Sequence, residues 1–118
     1  MIEHEQLQKY ATDEDDCLVS FNLCKNNVEI DWKEHSPDEI LYVPENLFNN
    51  LCAAFVKKVG LEYYDTVEIT NELEEILHRS FISAGNNEAN IVSAREISQF
   101  IEKAKCLKET HYLTFEGP

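Results

Sequence analysis

His78 stands four residues after Glu74, a spacing that puts an imidazole and a carboxylate on one face of a helix, where the pair could share a proton or serve as base and orienter. Cys52 is a second candidate, as a thiolate nucleophile. Its neighbours Leu51, Ala53, Ala54 and Phe55 are apolar, the opposite of the electropositive setting that lowers a thiol pKa. The four cysteines, Cys17, Cys24, Cys52 and Cys106, include no CxxC pair, and His4, His35, His78 and His111 fall at no ligand spacing beside them. No metal or other cofactor is expected. Carboxylate pairs are abundant in a chain with 23 Asp and Glu among 118 residues. Acid and base work needs two carboxylates in different environments, which spacing alone does not distinguish. There is no GxSxG elbow, no Gly-rich phosphate loop and no HExxH. The sequence assigns no catalytic residue, and the expectation is that the protein is not an enzyme.

Charge is the feature furthest from ordinary. Ten Lys and Arg stand against the 23 acids, a formal charge of −13 with a pI near 4.5. The excess is uneven: Asp13-Glu14-Asp15-Asp16 is a dense run, and from Leu61 to Glu75 there are six acids and no base. Such a field repels phosphate backbones and anionic lipid, so direct binding to nucleic acid or membrane is not expected, whereas a basic protein is attracted. The expected partner-binding set is Asp13, Glu14, Asp15, Asp16, Glu62, Asp65, Glu68, Glu72, Glu74 and Glu75, with Tyr63 and Tyr64 as aromatic anchors. Arg95, Lys103, Lys105 and Lys108 form the one basic cluster, but acids share that helix, so a solvated face is expected there.

The leading expectation is an inhibitor that occludes a basic partner, most plausibly a nuclease toxin, in the manner of bacterial immunity proteins. That analogy rests on size and charge alone. The alternatives are a DNA mimic that blocks a restriction or defence enzyme, a small enzyme with a cryptic carboxylate or thiol site, and a structural subunit, which would expose a large apolar patch.

The elements that must position these groups follow from periodicity. Pro44 to Gly60 reads as one helix punctuated at both ends, with Leu47, Phe48, Leu51, Cys52, Phe55 and Val59 as its apolar stripe. Leu7, Tyr10 and Ala11 suggest a short helix before it. Val19, Phe21 and Leu23, and then Val28, Ile30 and Trp32, alternate with polar residues and predict a hairpin turning at Lys25-Asn26-Asn27. Ser36-Pro37-Asp38-Glu39 predicts a helix start that runs one or two turns to Tyr42. One long helix is expected from Asp65 to Gly85, with a rival in which Val67 and Ile69 are a strand and the helix begins near Asn71. Ser93 and Glu96 read as the capping box of a last helix ending near Glu109, with Ile97, Phe100, Ile101, Ala104 and Leu107 on its stripe. His111 to Phe115 alternates and reads as a strand or a tail.

The whole is expected to be one α+β domain spanning 1–118, about three main helices packed on a small antiparallel β-hairpin or three-stranded sheet. The apolar fraction of 43% supports a core. No apolar run is long enough to span a bilayer, and Met1 to Glu5 does not resemble a signal peptide, so a cytoplasmic chain with reduced thiols is expected.

Overall fold

The computed structural model describes residues 2–11, 16–25, 37–60, 66–83 and 85–117, the side chain of Glu3 excepted. Five strands and four helices follow in the order β1 (Ile2–His4), β2 (Leu18–Lys25), β3 (Glu39–Pro44), α1 (Glu45–Leu51), α2 (Ala53–Val59), β4 (Thr66–Glu68), α3 (Asn71–Ile82), α4 (Glu88–Cys106) and β5 (His111–Glu116), with a 3-10 turn at Gln8–Tyr10. The strands form one sheet in the order β1-β3-β2-β5-β4. Four of them are antiparallel neighbours, and β1 runs parallel to β3 at one edge. The fold is α+β.

Pleating decides where the core lies, because alternate side chains leave opposite faces of a strand. Val19, Phe21 and Leu23 of β2, Leu41 and Val43 of β3, and Leu113 and Phe115 of β5 share one face and belong to the main core with the helices. Phe21, Phe48, Phe55 and Phe115 interlock there, with ring centroids 5.0 to 5.9 Å apart. Aromatic burial on this scale dominates a core of this size.

All six stripe residues from Leu47 to Val59 are buried, but not on one helix. The run breaks at Cys52, whose φ of −120° and ψ of 40° separate α1 from α2 while Cys52 N still donates to Phe48 O and Val56 N to Cys52 O. Pro44 closes β3 with extended geometry and caps α1 from outside. Gly60 ends α2 at φ 57°, the positive angle that a side chain would resist.

Other expectations change. Glu39 to Tyr42 is strand, not helix: Ile40, Leu41, Tyr42 and Val43 are all strand formers, and β3 fills one edge of β2 while β5 fills the other. The run from Val28 to Trp32, expected to form a hairpin with β2, lies outside the described residues. The rival reading of the acidic region holds, with β4 at Thr66–Glu68 and α3 from Asn71, capped by Thr70, whose hydroxyl accepts from Leu73 N. α4 starts at Glu88 under an Asn87 cap, and Ser93, expected to cap it, is a buried interior residue. Its stripe at Ile97, Phe100, Ile101 and Ala104 is buried as expected. The terminal alternation is a strand, β5, set between β2 and β4. Near the N-terminus, Leu7 leads only a 3-10 turn and is fully buried.

Candidate functional site

The register gives the sheet two distinct ends. β2 and β4 each pair antiparallel with β5, so they run the same way, and Ser20, Glu116 and Thr66 form one row across the three strands. Asp16, just ahead of β2, and Thr66, the first residue of β4, therefore lie at the same end of the sheet, with Ser20 and Thr66 two strand spacings or about 10 Å apart. Pro44 also lies at this end, opposite Leu18, which places the start of α1 there. Asp16 Oδ1 accepts from Asn46 N at 3.2 Å and so covers a donor in the first turn of that helix. Glu45 occupies the same turn. Glu116 is exposed, and neither it nor Glu45 forms an ion pair with a described residue. This is the acid end.

The opposite end gathers cations and imidazoles. Glu39, opposite Leu23, is buried on the helix-covered face with its side chain 4% exposed. Lys103 of α4 donates to its Oε1 at 2.8 Å and sits 2.6 Å from Oε2, and His4 Nε2 lies 2.8 Å from Oε1. Burial alone would raise this carboxyl, but the hydrogen bonds from Lys103 and His4 prevail and hold it below its ordinary value. One residue earlier, Asp38 Oδ2 lies 2.8 Å from His111 Nε2 and 3.9 Å from Lys25 Nζ. The His111 hydrogen bond, helped by Lys25, holds Asp38 below the usual carboxylate range.

His111 also lies 2.7 Å through Nδ1 from the Thr110 hydroxyl, which donates to Leu107 O at 3.2 Å. A hydroxyl, an imidazole and a carboxylate in series are the parts of a nucleophilic relay. Here the nearby backbone N–H groups of Lys108, Thr110 and His111 are all taken by the carbonyls of Lys105 and Leu107. The series thus braces β3 against the turn between α4 and β5.

Beside it is a cleft of about 530 Å³. Ile69, Ile101, Ala104 and Leu113 line its wall, with Glu68, Glu74, Lys105, Lys108 and His111 also contributing. Within it Lys105 is ion-paired with Glu74, which holds that ammonium above its usual value, and with Glu102 at 3.7 Å. Glu74 also meets His78 at 3.3 Å, as the four-residue spacing predicts.

The expected binding set divides between these ends. Asp16 belongs to the acid end. Asp13, Glu14 and Asp15, like Glu62, Tyr63, Tyr64 and Asp65, lie outside the described residues. Glu72, Glu74 and Glu75 start from the far end of β4 and each carries a partner: Glu72 meets Lys58 at 3.0 Å and Glu75 meets Arg79 at 2.6 Å. Glu68, exposed on β4, stands between the two groups. Of the basic cluster, Lys103 and Lys105 are tied to Glu39 and Glu74, so they are structural cations as well as a wet face.

Sequence reasoning missed Glu39, Asp38, His4, Lys103 and His111 as a group, because the partners in each hydrogen bond are 35 to 73 positions apart. No local spacing signals them. Cys24 and Cys52 are buried and Cys17 and Cys106 exposed, none in a disulfide. Burial pushes the Cys52 thiol up to about 12, which keeps it protonated and unreactive. No group of His, Cys, Asp and Glu among the described residues has metal-ligand geometry. No helix among them is long and apolar enough to cross a membrane. Comparison of the chain with protein-family models, with curated proteins and with solved structures returned no match.

Proposed function

We propose that this protein is an acidic inhibitor that docks the acid end of its sheet onto a cationic surface of another protein, the best-suited partner being a nuclease toxin. The observation that carries the reading is the polarity of the sheet. Glu39, Asp38, Glu72, Glu74 and Glu75 each lie against a cation or an imidazole, whereas Glu116 and Glu45 at the acid end have no ion pair among the described residues. In the sequence, residues 12–15 and 61–65, which precede Asp16 and Thr66, contain five of the 23 acids and none of the ten bases. Opposed potentials accelerate encounter and select the partner. Nucleases present cationic clefts because they must neutralise phosphates. Neutralising such a cleft needs bulk and charge, not chemistry.

The test is to retain basic proteins from the source cell on the immobilised chain at low salt, then assay the eluate for nuclease activity with and without the free protein. Stoichiometric inhibition is expected. The triple variant Asp13→Lys, Asp15→Lys, Glu116→Lys should lose it, and Glu72→Lys with Glu75→Lys should keep most of it. Absence of an inhibited nuclease, or equal loss in both variants, would overturn the reading.

A further inference from the structure

Among the described residues, no strand pairs with the outer side of β4. Ile69 N donates to Leu113 O at 2.9 Å, so in the alternation of an antiparallel ladder Val67 faces β5 in the same way. Thr66 and Glu68 then point their N–H and C=O groups away from β5. Neither residue spends those groups on another described residue, and both side chains are exposed. Four backbone groups are thus presented to solvent at the acid-end side of the sheet.

Sheet edges of this kind are ordinarily protected by shortness and by charge. β4 has both, being three residues long with Glu68 at its close. The same charge selects what can pair there. A strand laid beside β4 places one side chain next to the exposed Glu68, and opposite charges across a strand pair are favourable while like charges are not. On the other face it places a side chain next to Val67, which packs against the core. The complementary pattern is basic, apolar, basic.

We propose that the partner inserts an extended segment with alternating basic and apolar residues along the free edge of β4, as a sixth strand of the sheet. This rests on the reading of a cationic protein partner given above, and it specifies the contact: main-chain hydrogen bonds to Thr66 and Glu68, a Lys or Arg beside Glu68, and an aliphatic side chain beside Val67.

The probe is a blocked seven-residue peptide in which Lys and Val alternate, followed by amide hydrogen exchange and chemical shifts of the full chain. Binding should slow exchange of the Thr66 and Glu68 amides. Glu68→Pro removes an outward N–H without touching the ladder to β5 and should lower affinity at least about tenfold. Glu68→Gln should lower it about two- to fivefold. As a control independent of folding, the same peptide N-methylated at alternate amides keeps its charges and should not bind. Equal binding of the N-methylated peptide, no binding of the parent, or protection of Ile2 to His4 instead would each overturn the proposal. So would protection of Thr66 and Glu68 by self-association without peptide, which would assign the edge to a second copy. If charge reversal at the acid end slows nuclease docking while Glu68→Pro leaves it unchanged, the inhibitor reading stands and the added strand falls.

Discussion

At one end of the sheet Glu116 stands exposed and Glu45 half-buried, neither with an ion pair among the described residues, and at the other Glu39 and Asp38 are each held by a cation or an imidazole within 2.8 Å. For Glu39 the pairing follows from burial. A carboxylate in water needs no counter-ion, whereas one that is 96% covered must be neutralised or hydrogen-bonded to remain charged. A single chain with a large acid excess can therefore use the same side chain as a structural tie in one place and as a source of field in another. Counting acids does not reveal which role a given residue has; the pairing of strands does.

The comparison breaks most visibly at Glu39. Replacing it with Ala strands Lys103 and His4 beside an emptied site and should cost about 3 kcal/mol, read from urea unfolding. Lys103 and His4 both keep some exposure, so Glu39→Gln, which still accepts from Lys103, should cost less than half of that. Acidification tests the same tie without mutation. Both Glu39 and Asp38 lie below their ordinary values of 4.5 and 3.8 in the fold, so the unfolded chain binds more protons there. Their contribution is complete above about pH 4.5 and is lost as pH falls through the folded values. Thermal melts between pH 6 and pH 3 should show this loss, and the double variant Glu39→Gln, Asp38→Asn should flatten it.

Charge reversal sharpens the contrast from the other side. Glu116→Lys with Asp13→Lys and Asp15→Lys should slow association with a cationic partner about tenfold at low salt, while the exposed Glu116→Lys change alone moves stability by less than about 0.5 kcal/mol. High salt should erase the rate difference. The smallest effect expected is on two exposed thiols that report the local field. Cys17 follows Asp16 at the acid end and Cys106 closes α4 beside Lys103 and Lys105. An anionic aromatic disulfide should react on the order of threefold faster at Cys106, and a cationic disulfide should reverse that order. Equal ratios for both reagents would remove the polarity from the molecule.

What the sequence disclosed depended on whether the physics was local. The stripes of α4 and of Leu47 to Val59 were legible because helical burial repeats within a few residues, and Gly60 because positive φ favours glycine. β2 and β5 were legible as strands by alternation. The kink at Cys52 was not, since neither Pro nor Gly marks it. β3 was misread because Ser36-Pro37-Asp38-Glu39 imitates a capping box, while the decisive fact, a vacant edge on β2, is tertiary. The division of the acidic set was equally hidden: Glu68, Glu72, Glu74 and Glu75 are close in sequence, but Glu68 stands exposed on β4 while the other three are paired on α3.

The central pairing has a kinetic corollary. β2 meets β5 with Lys25 opposite His111 and Ser20 opposite Glu116, partners 86 to 96 positions apart. Closing so long a loop is entropically costly before any contact rewards it, so refolding should be slow for a chain of this length and rate-limited by the union of these two strands. Substitutions along that seam, such as Phe21→Leu or Phe115→Leu, would then retard refolding, whereas changes in α3 would chiefly hasten unfolding.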